Sequence, residues 1–151
     1  PISNGELIEG PRPTKAFKFK LAKAQRRLSK KKKFSNNWIK HKRKVQKLHS
    51  HVANIRKDFL HKLSTNLVKN HAKIVMEDLK TANMTKSAKG SVEKPGKNVK
   101  AKSGLNKAIL DQGWHMFENM LSYKLHFRAG ELVKVKPHHT SQTCAACGYV
   151  E

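Results

Sequence analysis

Acidic side chains are scarce in this chain, and two of them stand together where a strand should end. The segment Ala72–Leu79 reads AKIVMEDL, and its continuous apolar run Ile74-Val75-Met76 is the pattern of a strand buried on both faces. Closing such a strand with Glu77 and Asp78 is costly unless the two carboxylates have a chemical task or partners. The task open to them is phosphodiester hydrolysis, in which two divalent cations about 3.5–4 Å apart clamp the attacking and leaving oxygens and several carboxylates converge to hold them. Successive strand residues point to opposite faces, so Glu77 and Asp78 cannot both enter one site. Spacing does not choose between them. The competing reading is a strand end partnered by nearby lysines, or an Asp78 that caps a helix. Asp58, Asp111 and Glu118 fall on polar positions of helices and read as surface or helix-dipole carboxylates. No second strand carries a companion acid, so a two-metal site is incomplete as written.

The second chemical signal is Cys144-Ala145-Ala146-Cys147-Gly148, two thiolates on a tight turn in which the glycine lets the backbone fold under a metal. A redox Cys-x-x-Cys opens a helix within a βαβ unit, whereas this one follows Pro137 in a polar loop, which favours zinc. Structural zinc takes four ligands, and the chain has 2 cysteines. His138 or His139 is a candidate third ligand, or else a solvated or phosphate-facing histidine. The expectation is that a second cysteine pair lies beyond Glu151. The alternative is a zinc-bridged dimer to which each chain gives Cys144 and Cys147.

Charge is the third signal. Lys and Arg number 33 against 10 Asp and Glu, a formal net charge of +23 with a pI near 10.3. No acid occurs between Glu9 and Asp58, a stretch that holds Lys23, Arg26, Arg27, Lys30, Lys31, Lys32, Lys33, Lys40, Lys42, Arg43 and Lys44. Blocks of like charge are often solvated tails. Here Phe17, Leu21, Ala24 and Leu28 recur between the cations at helical spacing, which implies a folded basic surface. Phosphate backbones neutralise such a surface and release condensed counterions, so nucleic acid is the expected partner and a small-molecule substrate is not. No apolar run approaches a membrane span and no signal-peptide layout opens the chain, so a soluble cytoplasmic protein without a membrane partner is expected. The hydrophobic fraction of 37% and mean hydropathy of −0.71 permit one modest core.

The elements that must position these residues follow from periodicity. Residues 1–13 predict a β-hairpin, with a turn at Asn4-Gly5 and a stop at Gly10-Pro11. Residues 14–70 predict a basic helical hairpin, the first helix over about 15–32 and the second over 38–70. Trp38, Val45, Leu48, Val52, Ile55, Phe59, Leu63 and Leu67 mark one apolar stripe along the second. Residues 71–136 predict a strand, a mobile basic loop over 80–103, a helix over 104–128 weakened at Gly113 and ended at Ala129-Gly130, and an alternating strand over 131–136. Together these make a β-α-β unit on one sheet. Residues 137–151 would hold the first half of a zinc ribbon.

With these segments in order, the chain resembles the TnpB or OrfB-type proteins of bacterial insertion sequences, relatives of the RuvC-bearing type V CRISPR nucleases. The resemblance rests on IVMEDLKTANM (Ile74–Met84), LNKAILDQGWHMF (Leu105–Phe117) and VKPHHTSQTCAACG (Val135–Gly148). QRRLSKKKK (Gln25–Lys33) and RKDFLHKLST (Arg56–Thr65) also match. It implies an α/β fold: part of an RNase H-like RuvC domain, with a long basic helical hairpin inserted and half of a zinc ribbon. It also implies a transposon-associated, guide-RNA-directed and Mg²⁺-dependent DNA endonuclease in the bacterial cell, associated with the nucleoid. The family's strand glutamate corresponds to Glu77, which becomes the expected catalytic Mg²⁺ ligand. The family's TSQxCxxCG segment corresponds to Thr140, Ser141, Gln142, Cys144, Cys147 and Gly148, with Cys144 and Cys147 as Zn²⁺ ligands. The departures are the family's early Asp, expected before Pro1, and its second cysteine pair and last Asp, expected after Glu151. A chain with that shortfall is expected to bind guide RNA and target DNA without cutting. The alternative is a non-enzymatic basic RNA- or DNA-binding protein in which Glu77 has a structural role.

Overall fold

The computed structural model describes residues 5–137 and Cys147. Its order is α1 (Pro13–Ala16), α2 (Lys18–Ser29), α3 (Asn36–Asn70), β1 (Lys73–Glu77), α4 (Thr81–Met84), α5 (Val99–Gln112), α6 (Trp114–His126) and β2 (Glu131–Val135). This is an α/β arrangement of mostly helices around a small sheet.

The two strands are parallel, with Ile74 opposite Leu132, Met76 opposite Lys134 and Glu77 opposite Val135. A parallel pair needs a crossover, and α4, α5 and α6 supply it, giving the expected β-α-β unit. The core gathers on one side of this pair. Val68 of α3 and Leu121 and Leu125 of α6 are buried, with Leu67, Ile74, Met76, Phe117 and Leu132 packed against them. Burying these side chains is the main stabilising term of the unit.

The chain departs from the expected pattern in four places. The hairpin of residues 1–13 finds no strand in its described part: residues 5–12 are irregular, and Leu7 is exposed. Two prolines, at 11 and 13, remove the backbone donors that a ladder there would need. The β1 strand is not buried on both faces, because α6 covers only the side of Ile74 and Met76. On the other side Lys73, Val75 and Glu77 are exposed, with Val75 at 56%. The loop expected over 80–103 is shortened at both ends, leaving residues 85–98 irregular. Lys80–Met84 enters α4, and α5 starts at Val99, so that Ser103 lies inside the helix and does not cap it. Lys102 Nζ donates to the Met84 carbonyl at 2.7 Å and Asn106 Nδ2 to that of Thr85 at 2.7 Å, docking α5 on α4. Finally, the helix expected over 104–128 is two helices meeting at Gly113.

Gly113 makes that joint because its φ is +68°, the left-handed region. A Cβ there would meet Leu60 Cδ1 at 2.9 Å and Arg56 Cδ at 3.0 Å, so the joint is pressed against α3. The α3 helix itself begins with Ser35, whose Oγ accepts from the Trp38 amide at 3.2 Å.

Candidate nucleic-acid interface and acidic strand end

The helices α2 and α3 run antiparallel, joined by a short turn. Phe17 meets His51 edge-on with ring centroids 5.0 Å apart near one end, while Arg27 lies beside His41 and Lys44 toward the other. Leu21 is buried in the seam, and Ala24, Leu28, Val45 and Leu48 are half-buried beside it. The apolar residues thus occupy the contact and push the cations outward. Lys23, Arg26, Arg27, Lys30, Lys31, Lys32, Lys33, Lys40, Lys42, Arg43 and Lys44 are all exposed. The hairpin brings them onto one element.

Between the two helices lies an open groove of about 490 Å³, lined by Lys20, Lys23, Ala24, Arg27, His41, Lys44, Lys47 and Leu48. His41 reports the field there. Partial burial and then the charges of Lys31, Lys44, Arg27 and Lys40 hold its pKa below the ordinary 6.5, so the neutral ring is favoured. A second open groove, with Arg43, Lys47 and His51 among its walls, continues along α3.

The turn of the hairpin is tight. The Ser35 amide donates to the Lys32 carbonyl at 3.2 Å, and Phe34 takes the third position with φ +67°. Glycine or asparagine ordinarily holds that position, and a bulky residue there costs roughly 1–2 kcal/mol. Phe34 is 80% exposed, and its ring stands 5.5 Å from that of Trp38.

Other cations serve the fold. Arg56 of α3 binds the Asp111 carboxylate, and its Nε donates to the Asp111 carbonyl at 3.1 Å. Thr14 donates to the same carboxylate from its amide at 3.1 Å and its hydroxyl at 2.7 Å. Asp111 is 7% exposed, so it is a buried knot between α1, α3 and α5, not the surface carboxylate expected from its polar position. Lys124 of α6 donates to the His61 carbonyl at 2.8 Å, Ser64 Oγ at 2.6 Å and Thr65 Oγ1 at 2.8 Å, and burial lowers its pKa. These two nodes had no local signal, because each joins residues far apart in sequence.

Asp78 continues the ladder through its amide to the Val135 carbonyl at 2.9 Å, and its carboxylate binds Lys80 and reaches Lys134 at 3.9 Å. The hydrogen bond from Lys80 is the largest influence holding the Asp78 pKa below its usual value. Lys134 also grips Glu118 of α6, and that bond raises the lysine's pKa. Asp78 and Glu118 are therefore committed to lysines. Glu77 is exposed at the end of β1 and lines a small cleft of about 40 Å³ whose other walls include Thr81, Trp114, His115 and the lysine-bound Glu118. Among the described residues no three His, Cys, Asp or Glu side chains gather as a metal site. With Glu118 bound to Lys134, Glu77 is the carboxylate of that cleft that could take one position of a hard cation's shell. Cys147 is exposed; Cys144, His138, His139 and the rest of the zinc motif lie outside the described residues. No helix among the described residues is long and apolar enough to cross a membrane.

Comparison with known proteins agrees with this layout. Residues 2–88 match the OrfB_IS605 family, described as "Probable transposase", and residues 114–151 match "Cas12f1-like, TNB domain". An Escherichia coli (strain K12) protein named "Putative RNA-guided DNA endonuclease InsQ" is 55% identical over 148 residues, 98% of this chain and 37% of that protein. A Streptomyces pristinaespiralis protein named "Putative RNA-guided DNA endonuclease" is 37% identical over 150 residues, 99% of this chain and 34% of its own length. A Mycobacterium tuberculosis (strain ATCC 25618 / H37Rv) relative is 31% identical over 147 residues, 97% of this chain and 30% of its own. The chain spans about a third of the length of these relatives. With the family match running from the hairpin through the acidic strand, the chain belongs to the OrfB_IS605 family of transposon proteins.

Proposed function

We propose that this chain is the nucleic-acid-gripping part of an insertion-sequence, RNA-guided DNA endonuclease, and that by itself it binds without cutting. The observation that carries the reading is the part of the α2–α3 hairpin before Asp58: a folded, acid-free surface on which every cation singled out in the sequence is exposed. Lys23, Arg27 and Lys44 in the groove, with Arg26, Lys30 to Lys33, Lys40, Lys42 and Arg43 around it, contact phosphates of a guide RNA and its DNA target. They read backbone shape and charge, while base pairing reads sequence. The parallel β1–β2 pair with its crossover helices is part of an RNase H-like RuvC domain. Glu77 offers one carboxylate to a Mg²⁺ site whose other carboxylates come from elsewhere in the protein. Bound there, the metal would stabilise charge on the scissile phosphate. What Glu77 would do itself is present a carboxylate oxygen at the strand's end, in the cleft beside Trp114 and His115. Cys144 and Cys147 hold Zn²⁺ as half of a zinc ribbon.

The test pairs a mobility-shift assay on RNA–DNA heteroduplex and duplex DNA with plasmid nicking in Mg²⁺ and Mn²⁺. Tight, salt-sensitive binding without nicking is the expected outcome. Absence of binding at low salt would overturn the nucleic-acid reading, and cutting that is lost in Glu77→Ala would overturn the binding-only reading.

A further inference from the structure

The hairpin carries a second kind of surface at its tip. Phe34 is held in a left-handed turn that disfavours a bulky side chain, and its ring is 80% exposed. Neither burial nor backbone preference accounts for an aromatic at that position. Its neighbours suit an anionic ring-bearing ligand. Lys32 and Lys33 precede it in the same turn, and Trp38 stands one helical turn beyond it. Lys42 Nζ sits over the Trp38 ring at 5.1 Å. The Phe34 and Trp38 planes are inclined at 51°, so the two rings do not stack on each other and the outer face of Phe34 is left open.

We propose that Phe34, backed by Trp38, is a stacking platform for an unpaired nucleobase of a nucleic acid whose phosphates lie along the adjacent lysines. This deepens the nucleic-acid reading above and rests on it. Every base has a π face, so such a platform is indifferent to sequence but distinguishes unpaired from paired bases. Charge complementarity chooses the occupant: Lys31, next to the turn, is near enough to act on His41 in the groove of Arg27 and Lys44, so the cations of the turn adjoin that groove and suit a polyanionic backbone. An anionic membrane surface would also attract lysines and an aromatic. Beside the exposed Phe34 ring, Ile39 adds a little exposed apolar surface, but Asn36, Asn37 and Lys40 flank it, which makes a poor membrane anchor but a sufficient platform for one base.

The experiment measures affinity of the whole chain for oligo(dT), for a duplex with a single-stranded overhang and for the blunt duplex, at one salt concentration. Phe34→Asn removes the ring at a residue type that tolerates the turn's φ, and Phe19→Ala is a control at another exposed phenylalanine. Phe34→Asn should weaken binding to oligo(dT) and the overhang about tenfold and leave the blunt duplex unchanged, while Phe19→Ala changes neither. Oligo(dT) should also quench tryptophan emission in wild type and in Trp114→Phe, but not in Trp38→Leu. Wild-type binding that is steeply salt-dependent but unaffected by Phe34→Asn would overturn the platform and leave the basic interface standing. Loss of all nucleic-acid binding by wild type would overturn both. Phe34-dependent binding to phosphatidylserine vesicles, with none to oligo(dT), would assign the tip to membranes and overturn the platform.

Discussion

His41 stands in the groove between α2 and α3, where partial burial first and then Lys31, Lys44, Arg27 and Lys40 oppose its protonation. Phosphates bound in that groove would cancel these charges and favour the imidazolium. Its pKa should therefore rise on binding, and binding should take up a proton in the window between the lowered free value and the bound value. Titration of the His41 ring by NMR should give a midpoint below 6.5 in the free chain and a higher one with duplex bound, and affinity should increase as pH falls through that window. An unmoved midpoint would place the phosphates elsewhere. Asp111 is the residue whose role was least legible in the sequence. Its partners Thr14 and Arg56 lie 97 and 55 positions away, so a polar helix position concealed a buried ion pair. Asp111→Ala leaves the Arg56 guanidinium, 20% exposed, without that carboxylate, and should cost about 3 kcal/mol in urea unfolding. Glu77 and Asp78, by contrast, were legible as a pair through their place after an apolar run; alternation allows one of them at most in a site, and only the family resemblance chose Glu77.

Among the elements, α3 was predicted almost to its ends, and the stripe through Trp38, Val45, Leu48 and Val52 is the face turned to α2. Beyond Val52 the most buried positions are Leu60, Ser64 and Val68, one residue along from the predicted Phe59, Leu63 and Leu67. The second half of α3 packs on α6 as well, so its buried arc is wider than one stripe, and a serine within it breaks the hydrophobic pattern. Leu60→Ala should destabilise the chain by about 2–5 kcal/mol, against a smaller loss for Leu48→Ala, which sits half-exposed in the basic groove. The α5–α6 joint was visible only as a weak glycine. Gly113→Ala meets both a left-handed φ and the side chains of Leu60 and Arg56, and should cost more than roughly 1 kcal/mol by thermal or chemical unfolding. A neutral result would mean that the joint can relax away from α3.

At the scale of the molecule, the charge that stood out in the sequence divides into two populations. Arg56, Lys124 and Lys134 tie α3, α6 and β2 into the core, while the hairpin cations from Lys23 to Lys44 are exposed, with no acid in that stretch. The sign of the surface was legible because electrostatics needs no fold to be counted. The open outer face of the sheet was not, because an apolar run is the same whether a strand is covered on one side or two. The central claim is that the hairpin holds phosphates through Lys23, Arg27 and Lys44. The measurement that tests it most directly is the salt dependence of duplex affinity for wild type and for Lys23→Ala/Arg27→Ala/Lys44→Ala. The logarithmic slope should be steep for wild type and flatten by about 0.9 for each phosphate contact removed. An identical slope in the triple variant, with affinity preserved, would contradict it.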